Sequence, residues 1–216
     1  MAGLTDQARE WTGDFGRLYT DRNDLGLDGI DHLYRNQFGI SRRELNQEFI
    51  GNLPRSLAIL EVGCNIGNQL AFLAEQGFNH LTGIEIQNYA IQFAQQRLPQ
   101  ANLIQGSALA LPFPDQSFDL VFTSGVLIHI HPHNLAQVIT EIYRVTRAWI
   151  WGMEYFAVDP TEIIYRGQHN LLWKAPFAQI YQDHFPDLIL AKERRLSYQE
   201  NNANIDSMYL LKKYEK

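Results

Sequence analysis

The stretch Ile59-Leu-Glu-Val-Gly-Cys-Asn-Ile-Gly67 places a carboxylate, Glu61, ahead of two glycines, Gly63 and Gly67, with Cys64 and Asn65 between them. Glycines so spaced after a strand let the backbone turn sharply and let a ligand approach with no Cβ in the way, and the helix that follows offers its free N–H groups. The chemistry on offer is a nucleotide-type pocket. Glu85 ends the next apolar run, close to the roughly 20 residues past the last glycine at which an acidic side chain meets ribose hydroxyls in nucleotide-binding βαβ units. The order E-x-G-x-N-x-G is not the G-x-G-x-x-G that docks a pyrophosphate, which argues against a nicotinamide oxidoreductase. Within the loop, Cys64 is better suited to meeting a ligand through its backbone than to acting as a nucleophile.

Farther along, His129, His131 and His133 alternate, and Glu154-Tyr155 closes another apolar run. His129 falls just beyond a strand end that opens on the ligand crevice of a doubly wound sheet, so it is the first candidate for a general base. Its plainer role is to fill space or cap a helix. Glu154 and Tyr155 end the following strand and are expected to face the same crevice, Glu154 as a proton acceptor or hydroxyl ligand or, more simply, as a solvated carboxylate. Three imidazoles would suit a metal ion, but Pro132 interrupts any regular strand there and no carboxylate is near in sequence, so no metal is expected.

The elements that must position these groups follow from the apolar pattern. Residues 1–50 are polar and helix-like, with Trp11, Phe15, Leu18 and Tyr19 on one apolar face, and form a helical lead-in or cap with a hinge expected near Gly26-Leu-Asp-Gly29. From Pro54 onward short apolar runs alternate with amphipathic ones, the pattern of βα units on a parallel sheet. Strands are predicted at Leu57–Glu61, Leu81–Glu85, Asn102–Gln105, Phe118–Thr123 and Ala148–Met153, with helices at Gly67–Glu75, Asn88–Leu98 and Leu135–Arg147. Two extended runs, Leu188–Tyr198 and Asp206–Tyr214, flank the turn-forming Glu-Asn-Asn-Ala-Asn and predict a terminal hairpin. The expected fold is therefore α/β and Rossmann-like: a seven-stranded, mostly parallel sheet in one domain, 51–216, with helices on both faces.

A chain of 216 residues with 45% hydrophobic content can bury one substantial core. Its formal charge of -6, without a basic run, argues against nucleic acid and anionic membrane surfaces as partners. The single cysteine, and the lack of an apolar stretch at the start or of a membrane-span length later, make a cytoplasmic protein the expectation.

The E-x-G-x-N-x-G pattern resembles the first motif of class I methyltransferases that use S-adenosylmethionine (SAM), a cofactor with no phosphates to cradle. Gln105-Gly-Ser-Ala108 resembles their adenine-contacting loop, and Phe118-Asp-Leu-Val-Phe-Thr-Ser-Gly-Val-Leu127 their fourth strand and its active-site exit. The resemblance implies SAM contacts from Glu61, Gly63, Cys64, Asn65, Gly67, Glu85, Ile86, Ser107, Ala108, Ser124 and Gly125. Tyr19 or Arg22 would meet the methionyl carboxylate. Gly125-Val-Leu-Ile-His-Ile-His-Pro132, Glu154-Tyr155 and Glu162-Ile-Ile-Tyr-Arg-Gly167 are similar to the pseudaminic acid biosynthesis-associated methylases, as are Gly13-Asp-Phe-Gly16, Tyr19-Thr-Asp-Arg-Asn23 and Trp173-Lys174. That likeness implies a small, sugar-derived, nonulosonic-acid-like acceptor, with Tyr165, Arg166 and Lys174 as its contacts. Ala157-Val158 and Ala175-Pro176 depart from the family's pattern where a substrate would sit. A non-catalytic SAM-binding regulator or scaffold is the alternative.

Overall fold

The computed structural model describes residues 5–214. Four helices come first: α1 (Asp6–Thr12), α2 (Asp14–Arg22), α3 (Gly26–Phe38) and α4 (Arg42–Ile50). Their ends are set by local chemistry. The Thr5 hydroxyl accepts the Ala8 N–H at the start of α1, and Ser41 with Glu44 makes a reciprocal capping box at the start of α4.

Next come β1 (Ala58–Val62), α5 (Asn68–Glu75), β2 (His80–Glu85), α6 (Asn88–Arg97), β3 (Asn102–Gln105) and β4 (Phe118–Ser124). A single 3₁₀ turn (Leu127–His129) leads to α7 (Pro132–Val145) and β5 (Thr146–Tyr155). Two short strands, β6 (Thr161–Glu162) and β7 (Trp173–Lys174), pair with each other before α8 (Phe177–His184), β8 (Leu188–Ser197) and β9 (Ile205–Lys213). The main sheet has seven strands in the order β3-β2-β1-β4-β5-β9-β8. Pairing is parallel from β3 to β5 and antiparallel from β5 through β9 to β8. The α/β fold, the seven strands and the terminal hairpin are thus as expected.

The differences are instructive. Helix α7 begins at Pro132, three residues before the predicted start, because proline is well placed in a first turn and the His131 ring accepts the His133 N–H as a cap. Strand β5 extends beyond the predicted span because β9 pairs with it from Trp149 to Tyr155. Helix α8 was not anticipated. The sheet is covered on both faces: Val138, Ile139, Ile142 and Val145 of α7 pack on one side with Val121 and Ile150, while Leu45, Phe49 and Ile50 of α4 join Leu70, Leu73 and Ile91 on the other. The end of the lead-in therefore shares the sheet's core. Among the described residues no helix is long and apolar enough to cross a membrane.

Candidate active site

A cavity of about 380 Å³ lies where the parallel strands end, reached by Glu61 and Gly63 from β1, Glu85 and Ile86 from β2, and Ser124 and Gly125 from β4. This is the position at which doubly wound sheets bind ligands. Glu61 is buried with one carboxylate oxygen unpartnered, and burial drives its pKa well above the usual carboxylate range against the opposing pull of Arg42. Gly63 has φ +74°, and a Cβ there would come within 2.6 Å of Val126 Cγ2, so only glycine fits both the turn and the gap. Cys64 lines the cavity, but burial pushes its thiol pKa up, away from nucleophilic character.

The loop is tied to Glu85. One carboxylate oxygen accepts the Asn65 N–H at 3.0 Å and the other the Gln87 N–H at 2.9 Å, while desolvation raises the carboxyl pKa. Asn65, at φ +45°, donates its side-chain N–H to Thr20 Oγ1 at 2.9 Å and leaves its side-chain Oδ1 buried and unpartnered. Thr20 in turn donates to Gln87 Oε1 at 2.8 Å, and Gln87 Nε2 donates to the Trp11 carbonyl at 3.0 Å. Asn68 donates to the Asn23 carbonyl, Tyr89 to Asp21, and Asp24 pairs with Arg97. Helices α1 and α2 are thereby fastened over the glycine loop, and Ala8, Trp11, Tyr19 and Asn23 complete that side of the wall.

At the β4 end stands His129, buried, with Nδ1 at 2.7 Å from the Leu171 carbonyl. A carbonyl only accepts, so Nδ1 carries the proton and Nε2 keeps its lone pair. Burial lowers the ring's pKa to about 4, so the imidazole is neutral at neutral pH. Trp11, Tyr165 and Tyr19 surround it, with ring centroids 4.5, 5.4 and 6.5 Å from the imidazole.

Glu154 is not where the sequence reading placed it. Its buried carboxylate accepts the N–H groups of Val126 and Ile128 at 3.2 and 3.3 Å, behind the 3₁₀ turn, and it does not line the cavity. It holds the turn that carries His129, and burial raises its pKa to about 7. Tyr155 does line the cavity, beside its cross-strand partner Asp206. Burial raises the Tyr155 hydroxyl to about 12 and Asp206 to about 7, the latter opposed by a bond from the Tyr198 hydroxyl.

Of the other expected residues, Ser107, Ala108 and Tyr165 reach the wall. Gly67 does not; it caps α5 at φ +77° against Leu98. Arg22 and Arg166 are exposed, Arg166 with its guanidinium over the Tyr165 ring at 5.7 Å from the centroid, and Lys174 donates to Asn204 at 2.6 Å instead of entering the cavity. His131 is occupied as the α7 cap and packs on Trp173, and among the described residues no group of three His, Cys, Asp or Glu is placed to hold a metal. Trp11, Gln87 and Asp206 were not foreseen as wall residues; only Trp11 carried a signal, its place on the apolar face of the lead-in.

Residues 60–148 match the methyltransferase domain family. The chain is similar over 99 residues, at 34% identity, to an O-methyltransferase of Aspergillus nomiae, a stretch that spans 43% of each chain. Among solved structures it is similar to the 1,6-didemethyltoxoflavin-N1-methyltransferase of Burkholderia thailandensis, solved with S-adenosylhomocysteine, with TM-score 0.72, 17% identity, and coverage of 100% of this chain and 92% of that one. The geranyl diphosphate C-methyltransferase of Streptomyces coelicolor gives TM-score 0.73 at 11% identity, covering 99% and 100%. The chain has the Rossmann-like fold of the class I methyltransferases. The match to the curated relatives spans about half of their length or less. Within the methyltransferase fold, the matched residues carry the glycine loop, Glu85 and His129, whereas the cap helices and Tyr155 lie outside that stretch.

Proposed function

We propose that this chain is an enzyme that transfers a methyl group from SAM to a small-molecule acceptor enclosed between the sheet and the cap helices. The observation that carries the cofactor assignment is the makeup of the wall: the carboxyl groups of Glu61, Glu85 and Asp206 line it, and among the described residues no lysine or arginine does, the Arg42 guanidinium lying behind Tyr34 and Ser124, to which it donates. Such a pocket offers acceptors to an ammonium and to hydroxyls, and no lysine or arginine on its wall to cradle the pyrophosphate of a dinucleotide. The unpartnered oxygen of Glu61 and the remaining lone pairs of Glu85 are acceptors for an ammonium and for ribose hydroxyls.

SAM supplies a methyl group already activated on a sulfonium, so the protein needs no nucleophile of its own. The residues contribute alignment, exclusion of water and a place for the acceptor's proton. His129 is the base in this reading, since its Nδ1–H is held by the Leu171 carbonyl and its Nε2 is free to accept. Glu154 is a positioning residue that fixes the turn beneath it. Of the lead-in, 1–50, helices α1 to α3 serve as the cap, while α4 packs into the core of the transferase domain, 51–216.

A sugar-derived, nonulosonic-acid-like acceptor is implied by the likeness to the pseudaminic acid biosynthesis-associated methylases. Arg166, expected to meet its carboxylate, and Lys174, expected among its contacts, both stand outside the cavity. Isothermal titration with SAM and S-adenosylhomocysteine tests the cofactor assignment directly: saturable binding of both is expected, and no heat from either at millimolar concentration would refute it.

A further inference from the structure

The wall around His129 differs in character from the carboxyl groups of Glu61 and Glu85. Around His129 the wall is built from rings: Trp11, Tyr19 and Tyr165 line it, and Phe15 backs Trp11 and Tyr165 at 5.3 and 6.0 Å. Leu109, Ile128, Ile130 and Leu172 are also on the wall. The polar groups there are few: the free Nε2 of His129, the phenol hydroxyls, Asn134 and the Asp206 carboxylate. The indole N–H of Trp11 is buried and has no partner. A buried unpaired donor is destabilising, and a ligand oxygen or nitrogen relieves it.

From these features, and resting on the methyltransferase reading, we propose that the acceptor is an uncharged aromatic or heteroaromatic ring compound bearing an O–H or N–H, and not an acid. Beside His129 an anionic acceptor would have to shed its hydration with no cation on the wall to replace it, since the buried Arg42 guanidinium is engaged by Asn46, Tyr34 and Ser124. Among the described residues lining the cavity there is no lysine or arginine, and Asp206 adds a like charge or a competing proton donor. A flat ring instead exchanges water for the faces and edges of Trp11, Tyr19 and Tyr165, each pairing favourable beyond its buried area. Its heteroatoms are met by the unpartnered Trp11 indole N–H as donor and His129 Nε2 as acceptor.

The test is binding of matched pairs by isothermal titration, on the chain alone and on the chain saturated with S-adenosylhomocysteine. Catechol is set against 3,4-dihydroxybenzoate, 3-hydroxypyridine against 3-hydroxypicolinate, and N-acetylmannosamine against N-acetylneuraminate. The expected result is saturable binding of a neutral ring compound at least tenfold tighter than its carboxylated partner and than either sugar, in one or both forms of the protein. Equal or tighter binding of the carboxylates, tighter binding of a sugar, or no binding of any neutral ring compound would overturn the proposal. The measurement on the chain alone is independent of the cofactor: failure to bind S-adenosylhomocysteine would refute the methyltransferase reading and leave the ring-over-acid preference to be read separately. A Trp11→Phe variant, which keeps the ring and removes the donor, should weaken the bound ring compound by about fivefold or more; unchanged affinity counts against the indole N–H as its partner.

Discussion

Replacing Glu85 with alanine should weaken S-adenosylhomocysteine binding about a hundredfold. The carboxylate is only 9% exposed, and its two oxygens already accept the Asn65 and Gln87 N–H groups at 3.0 and 2.9 Å. A carboxylate offers about four acceptor sites, so about two remain for hydroxyls of a bound ribose. Hydrogen bonds to a charged group contribute about 1.5–3 kcal/mol each. Water can enter the space that alanine vacates, so the lower end of the pair, about 3 kcal/mol, is the appropriate value, and that corresponds to roughly 150-fold in Kd. The loop should survive the change, because Cys64 N–H still donates to the Ile84 carbonyl at 3.1 Å and Gly67 N–H to the Cys64 carbonyl at 2.8 Å. Glu85→Gln, which keeps one acceptor but turns an NH₂ group toward a backbone N–H, should fall between wild type and alanine. The assay is titration calorimetry with S-adenosylhomocysteine, with circular dichroism to confirm the native fold. A natively folded Glu85→Ala protein whose Kd stays within threefold of wild type would show that Glu85 shapes the loop without touching the ligand.

Other expectations follow from the same geometry. Gly63→Ala sets a Cβ 2.6 Å from Val126 at φ +74° and should lower stability by about 1–3 kcal/mol, visible as a reduced melting temperature, and weaken S-adenosylhomocysteine at least tenfold; an unshifted melt would contradict the close approach. Arg22→Ala, Arg166→Ala and Lys174→Ala should each leave that affinity within twofold, since none of the three reaches the wall; a loss above tenfold in any of them would require the cap to close differently. If His129 takes the acceptor's proton, it must be neutral to do so, and with its pKa near 4 the kcat profile should stay level down to about pH 5. An acid limb at the ordinary histidine value of about 6.5 would be inconsistent with the buried ring. Asp206, raised to about 7, keeps a proton in the folded state that the unfolded chain releases near pH 4, so it removes stability as pH rises from about 4 to 7 and contributes no further slope above. The melting temperature of Asp206→Asn should accordingly fall less than that of wild type between pH 5 and 7, and parallel curves would refute the shift.

Much of the fold was legible because its parallel strands are short, continuous apolar runs separated by amphipathic helices, a pattern that needs only local sequence. Strand β3, Asn102–Gln105, agrees residue for residue with the sequence reading. Helix α8 was missed because Phe177, Ala178 and Tyr181 give it a narrow apolar stripe over only two turns, hard to tell from a loop with a few buried side chains. The glycine loop and Glu85 were legible for the same reason as the strands: turn chemistry and a strand-end carboxylate at fixed spacing are local facts. The ring wall was not, since the contact between Trp11 and His129 joins residues more than a hundred positions apart through a cap whose docking depends on Thr20 and Gln87.

Glu154 and Tyr155 part company for a reason that strand geometry supplies. Successive side chains on a strand point to opposite faces, so two neighbours at the end of β5 were poor candidates to face one crevice together. Tyr155 faces it, and Glu154 turns to the loop after β4, where its carboxylate accepts two backbone N–H groups. Alternation alone says that one of the pair must turn away; it does not say which. The choice is made by the 3₁₀ turn at Leu127–His129, whose N–H groups need an acceptor once buried, and only the shorter, acceptor-rich side chain of glutamate supplies it. The carboxylate thus acts on the site at one remove: by fixing that turn it determines where His129 stands, and so where a bound acceptor would have to present its proton.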